Sequence, residues 1–156
     1  MMKYLFALAG VLMATTAAAS DLYVTGGLGT RVKGSSDAVV SLALGKETHK
    51  NLRVEAAYEH DTTDTIRGPA SSKSNRFFAH ALPQVQVPGT ALTPYVLVGV
   101  GVDLESLDSR PLYALGSGLR VELTKSTDLD FRYRRVDNVN NGDKREVVSA
   151  GISLKF

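Results

Sequence analysis

Thr93-Pro94-Tyr95-Val96-Leu97-Val98-Gly99-Val100-Gly101-Val102-Asp103-Leu104 alternates without a break. Val96, Val98, Val100 and Val102 fall on one face, and Tyr95, Leu97, Gly99, Gly101 and Asp103 on the other. Successive side chains of an extended chain point to opposite sides, so this alternation predicts a β-strand with one uniformly apolar face and one mixed face. Its length is that of a strand crossing a bilayer at a tilt, about ten residues.

Outward from this stretch, the same period of two recurs seven more times. Residues 22–32 set Leu22, Val24, Leu28 and Val32 against Tyr23, Thr25, Gly27, Gly29 and Arg31. Residues 37–45 put Ala38, Val40, Leu42 and Leu44 on one face. Residues 52–59 alternate Leu52, Val54, Ala56 and Tyr58 with Arg53, Glu55, Ala57 and Glu59. In the segment 76–87, Phe77 and Phe78 are adjacent and Pro83 interrupts, so the pattern leaves its facing open. Residues 112–123 set Leu115, Leu119, Val121 and Leu123 against Gly116, Gly118, Arg120 and Glu122. Next, Leu129, Phe131 and Tyr133 oppose Asp130, Arg132 and Arg134. The last segment, 145–156, sets Val148, Ala150, Ile152, Leu154 and Phe156 against Val147, Ser149, Gly151, Ser153 and Lys155.

Eight strands and no helix predict an all-β, eight-stranded antiparallel up-and-down barrel that spans a membrane. An even strand number is the rule for bacterial outer-membrane barrels, whose two ends both lie in the periplasm. Turns near 46–51, 88–92 and 124–128 would then be periplasmic, and stretches near 33–36, 61–75, 104–111 and 138–144 would face outward.

The N-terminus agrees with export. Lys3 supplies a positive start, residues 5–13 are apolar, and Ala17-Ala18-Ala19 is a small-residue cleavage site. That is the pattern of a secretory signal peptide over residues 1–19, cleaved after Ala19 or Ser20, with the barrel over 20–156. The chain has no Cys, so no disulfide braces it and another source of order is needed. A formal net charge of +2 gives no electrostatic case for nucleic acid.

In lipid, a closed barrel pairs every backbone group around the ring and turns its apolar face outward. The mixed face then meets the lumen, which in an eight-stranded barrel is just wide enough for side chains to fill. The expected lumen set is Arg53, Glu55, Glu59, Arg120, Glu122, Asp130, Arg132 and Arg134, opposite charges that can pair among Gly and Ser residues. A structural plug is favoured over a selectivity lining. At the strand ends, Arg31, Lys33, Lys73, Arg76, Arg110, Arg135, Lys144 and Arg145 are placed to meet lipopolysaccharide phosphates, but Asp61, Asp64, Asp108, Asp137 and Asp143 are interleaved. A solvated rim reads equally well. Tyr58, Phe131, Tyr133 and Phe156 are candidates for the interfacial aromatic girdles.

Three stretches carry a resemblance. Thr93-Pro94-Tyr95-Val96 through Gly99-Val100-Gly101 is one. Gly118-Leu119-Arg120-Val121-Glu122-Leu123-Thr124, followed by Leu129-Asp130-Phe131-Arg132-Tyr133-Arg134, is the second. Gly151-Ile152-Ser153-Leu154-Lys155-Phe156, ending on an aromatic residue, is the third. Together the chain resembles the OmpA/OmpX-like outer-membrane β-barrel proteins. The resemblance implies an outer-membrane location and recognition of the terminal Ile152, Leu154 and Phe156 by the barrel-assembly machinery. Its motifs describe a strand class and name no activity. The peptidoglycan-binding domain of larger members has no counterpart before Phe156, so that function is not carried over.

Chemistry is sparse. His49, His60 and His80 have no zinc-ligand spacing, phosphate-loop patterns are absent, and no cofactor or metal is expected. Some small outer-membrane barrels are lipid A acylation enzymes with a His and a Ser near the membrane surface. Glu59-His60-Asp61-Thr62 is the one stretch that invites comparison, and no Ser stands two residues from a His. The expectation is a non-enzymatic structural or surface-interaction protein in contact with outer-membrane lipid and lipopolysaccharide, its surface partner unread. A narrow pore and a lipid A-modifying enzyme are the alternatives, with a soluble periplasmic barrel around an apolar ligand behind them.

Overall fold

The structure, a computed structural model, describes residues 21–32, 38–62, 75–104, 110–140, 142 and 144–156. The segment read as a signal peptide lies outside these residues, as do Lys33, Asp64, Lys73, Asp108 and Asp143. Eight strands follow in order: β1 (Leu22–Arg31), β2 (Ala38–His49), β3 (Leu52–Thr62), β4 (Asn75–Pro83), β5 (Leu92–Asp103), β6 (Arg110–Thr124), β7 (Thr127–Asn138) and β8 (Lys144–Lys155). Each pairs antiparallel with its neighbours in sequence, and β1 pairs with β8 from Tyr23↔Lys155 to Arg31↔Val147. The sheet is closed, as the alternation predicts, with each strand paired on both sides.

The two ends of the barrel differ. At one end Lys50-Asn51 joins β2 to β3 and Lys125-Ser126 joins β6 to β7, and Phe156 N–H bonds the Leu22 carbonyl at 2.9 Å. We call this the turn end; the other is the loop end.

Strands run further than the sequence pattern marks. β2 continues through Lys46 and Glu47 to His49, and β7 extends from Thr127 to Asn138. Polar residues near strand ends blur the alternation, yet closure of the ring still pairs their backbones. Asp61, expected in an outward loop, belongs to β3 and is 1% exposed.

The fourth strand departs most. It was expected over 76–87 and its ladder with β5 stops at Ala81↔Val98. Pro83 has no N–H to donate there, which breaks the pairing. The register resumes as a single Gln84↔Tyr95 bridge, and Val85 N–H reaches the Pro94 carbonyl at 3.1 Å. The structure also settles its facing. Arg76, Phe78, His80 and Leu82 point inward and are buried.

The outer surface is an apolar band. Leu28, Leu42, Val96, Leu115 and Ile152 are each at least half exposed, the inverse of a water-soluble core. Tyr58, Phe131, Tyr133 and Phe156 all lie on this outer face, joined by Tyr113.

Inside, large rings sit opposite glycines. The cross-strand partners Tyr23↔Gly45, His80↔Gly99, Phe78↔Gly101 and Tyr95↔Gly118 each put a ring across a residue with no side chain. A Cβ at Gly45 would lie 2.3 Å from the Tyr23 ring, and one at Gly118 would lie 2.3 Å from Tyr95. Glycine is therefore required for these rings to lie flat against the wall. One sector of the interior is apolar, built from Phe78, Leu82, Leu97, Leu112, Ala114 and Val136. The charged residues fill the rest.

Candidate functional site

The polar interior is arranged in layers along the barrel axis. Alternate positions of neighbouring strands bring their side chains to the same height, so residues distant in sequence meet.

The middle layer centres on Glu55 of β3. Its carboxylate accepts the Tyr23 hydroxyl at 3.2 Å and Arg132 Nη1 at 2.5 Å, and lies 3.0 Å from His80 Nδ1. Arg132, itself on β7, also donates Nη2 to Asp130 Oδ2 two residues back on the same strand at 2.7 Å, and Nε to the Tyr95 hydroxyl at 3.0 Å. Tyr95 in turn donates to Asp130 Oδ1 at 2.5 Å. The guanidinium fork is thus shared between two carboxylates, a geometry suited to its planar donors. Side chains of Glu55 and His80 are fully buried.

Toward the loop end, Arg134 pairs with Glu59. A void of about 20 Å³ lies beside them, room for on the order of one water. Such a water would meet Glu59 Oε2 and Arg134 Nε, which lack protein partners. Beyond it, Asp61 gathers three arginines: Arg31 at 2.5 Å, Arg76 at 2.6 Å and Arg145 at 2.6 Å. Arg76 also donates Nε to Asp103 at 3.2 Å. The sequence pattern places these three bases at the outward rim. Their strand parity instead turns them inward, onto an acid the sequence reading had assigned to a loop. Arg110 and Lys144 do remain exposed, and the half-exposed Arg135 donates Nε to Asp137 at 3.0 Å.

At the turn end, Arg53 donates Nε to Glu47 at 2.9 Å, Arg120 donates Nη1 to Gln84 at 2.7 Å, and Asp128 stands between them. Lys155 lies 2.9 Å from Asp128.

Seven of the eight expected lumen residues therefore lie inside: Arg53, Glu55, Glu59, Arg120, Asp130, Arg132 and Arg134. Glu122 is a correction. It has the right parity but sits at the mouth, its side chain 48% exposed, 3.8 Å from Lys155. It is two residues from the end of β6, where the wall runs out. The sequence reading missed Tyr23, His80, Gln84, Tyr95, Asp103 and Asp128 as network members. Parity with Gly27 and Gly99 already marks Tyr23 and Tyr95 as inward. Nothing comparable marks His80, because the adjacent phenylalanines and Pro83 hide the phase of β4.

The His60 stretch does not assemble a nucleophile among the described residues. His60 Nδ1 lies 2.8 Å from Asn75 Oδ1, which also accepts the Tyr58 hydroxyl at 2.8 Å. An amide, not a serine, occupies the position next to the imidazole. Among the described residues, no three His, Cys, Asp or Glu side chains converge as a metal site.

Known proteins agree with the architecture. No curated protein matches the sequence. Among solved structures, the N-terminal β-barrel domain of Pseudomonas aeruginosa OprF superposes with a TM-score of 0.70 at 13% identity, covering 88% of this chain and 98% of that one. Neisserial surface protein A gives 0.68 at 16% identity, covering 86% and 96%. The outer membrane enzyme PagL gives 0.59 at 17% identity, covering 86% and 99%. At these identities the likeness is one of fold. The model of the outer membrane protein β-barrel domain family, however, matches residues 4–156. With that match and an eight-stranded barrel closed by its first and last strands, the chain belongs to the outer-membrane β-barrel protein family.

Proposed function

We propose that the protein is a non-enzymatic resident of the outer membrane with a structural or surface-interaction role, its barrel plugged by its own side chains. One observation carries this reading: Glu55, Arg132, Asp130, His80, Tyr23 and Tyr95 form one hydrogen-bonded network inside the barrel, in which the Glu55 and His80 side chains are fully buried. An eight-stranded barrel has little width to spare once such a layer forms. In this reading the turn end faces the periplasm and the loop end faces outward. The exposed Arg110 and Lys144 and the half-exposed Arg135 meet lipopolysaccharide phosphates there. Export proceeds through a signal peptide over residues 1–19, removed on translocation.

Conductance tests the plug. The purified barrel, reconstituted in planar bilayers containing lipopolysaccharide, is expected to show no single-channel steps at neutral pH. Regular, reproducible steps from the wild-type chain would reject the plug in favour of a narrow pore.

The same reading assigns Ile152, Leu154 and Phe156 to assembly. All three project outward from β8 and its end, about half exposed or more. That leaves them open to a recognising partner before the barrel meets lipid. Phe156→Ala is expected to lower the amount of heat-modifiable band in outer membranes several-fold, while refolding of the purified chain into detergent stays close to wild type. An equal loss in both assays would assign Phe156 to stability instead.

A further inference from the structure

The turn end of the interior is not packed shut. A cavity of about 120 Å³ opens there, with Arg53, Arg120 and Asp128 at its floor and Lys50, Glu122 and Lys155 near its rim. Its floor is rigidly built. The Arg53 guanidinium lies 4.7 Å over the Tyr23 ring while Nε is held by Glu47. The Arg120 guanidinium lies 5.1 Å over the Tyr95 ring while Nη1 is held by Gln84. Stacking on a ring face fixes the guanidinium plane.

Each arginine nevertheless keeps a donor without a partner, Arg53 Nη1 and Arg120 Nε. Asp128 stands between them, 1% exposed, and neither of its oxygens accepts a hydrogen bond. Its Oδ2 is 3.8 Å from Arg53 Nη1 and 4.0 Å from Arg120 Nε, beyond hydrogen-bond reach. Lys155 approaches Oδ1 to 2.9 Å, but obliquely, outside hydrogen-bonding geometry. Buried donors and buried acceptors are thus left open side by side, facing a cavity that can be entered. Buried polar groups are ordinarily satisfied, so the arrangement calls for an occupant that supplies both kinds of partner.

A simple anion would satisfy the guanidiniums and leave Asp128 open, and a simple cation the reverse. Lys50 and Lys155 add two positive charges, and Glu47 and Glu122 add two negative ones. With Arg53, Arg120 and Asp128, the lining carries one net positive charge, which admits a carboxylate accompanied by an ammonium group. We propose that this vestibule binds a small zwitterion of the α-amino-acid class, its carboxylate on Arg53 and Arg120 and its ammonium on Asp128.

Glycine is the probe. It is titrated into the full refolded barrel, 15N-labelled in detergent micelles, and the arginine Nε–H signals are followed by NMR. A saturable shift of the Arg53 and Arg120 signals is expected. Asp128→Asn and Arg120→Gln should each weaken it about tenfold or more, the effect of losing one charge-assisted hydrogen bond. Glu122→Ala, at the half-exposed rim, provides a milder variant that leaves the floor intact and should change binding by less. Arg145→Gln at the loop end should leave it unchanged. Heat-modifiable mobility on gels establishes that each variant is folded. Acetate and methylammonium, the two halves of the probe, should each bind at least about tenfold more weakly than glycine. Absence of any saturable glycine shift in folded wild-type protein would show that the vestibule holds only water and overturn the proposal. Acetate binding as well as glycine would also overturn it, leaving a plain anion site.

Discussion

Glu55→Ala is expected to destabilise the folded barrel by about 3–5 kcal/mol, the usual cost of removing one partner from a buried ion pair. The residue is the acceptor for Tyr23, His80 and Arg132 at once, so its loss strands three polar groups in a low-dielectric interior. Arg132 keeps Asp130 and Tyr95, which sets the lower end of the range rather than abolishing the fold. Urea titration of the refolded protein, followed by the folded and unfolded gel bands, gives the stability difference. Glu122→Ala is the control. That carboxylate is half exposed and 3.8 Å from Lys155, so its removal should change stability by less than about 1 kcal/mol. Truncating Glu55 also removes the centre of the layer proposed to plug the barrel. Bilayers containing Glu55→Ala should therefore show small conductance steps that wild type and Glu122→Ala lack. Equal stability of the two variants would mean that the middle layer contributes nothing that the rim does not.

The second large effect concerns glycine. Gly116→Val is expected to prevent assembly, with no heat-modifiable band recovered either from cells or on refolding. A Cβ there would lie 2.3 Å from the Tyr133 carbonyl oxygen and 3.1 Å from Arg134 Cα. Both belong to β7, tied to β6 through the pair Gly116↔Arg134, so the obstruction is backbone that a closed ring cannot move aside. Overpacking of even a well-ordered core costs about 1–3 kcal/mol where side chains can shift. Here they cannot, and valine adds two more methyl groups. Gly26→Val makes the contrast. A Cβ at Gly26 meets nothing within 4 Å. That position is on the outer face, exposed between Thr25 and Gly27, and a valine there should be neutral or slightly stabilising through its β-preference. Recovery of Gly116→Val at wild-type yield would show that the wall breathes far more than its pairing implies.

The two glycines show where the sequence stopped. Both sit in alternating stretches, and parity alone assigns Gly116 to the inner face with Gly118 and Arg120. That Gly116 is pressed against the β7 backbone, and that Gly118 lies under Tyr95, depends on which residue of the next strand stands opposite. Register is a property of pairing, and a single strand does not carry it. The same holds for the charges. Alternation put Arg53, Glu55, Glu59, Arg120, Asp130, Arg132 and Arg134 on one face, but could not say that Glu55 meets Arg132, 77 residues away, or that Arg134 meets Glu59.

What the sequence determined by itself was the strand number, the closed antiparallel topology, the membrane setting and the face that every strand but β4 turns to lipid. These follow from a local period of two, which every residue reports independently of the rest. It failed where the period is interrupted or ends: at β4, where Pro83 breaks the ladder, at Glu122, where the strand runs out, and at Asp61, where a polar strand end looks like a loop. Tertiary structure alone decided the partners. It drew Arg31, Arg76 and Arg145 onto Asp61, gathered Tyr23, His80 and Arg132 around Glu55, and left Arg53, Arg120 and Asp128 facing an open vestibule. The reason is physical: lipid selects residues one at a time by their polarity, whereas a narrow lumen selects them jointly, by height, charge and the space that neighbouring glycines leave.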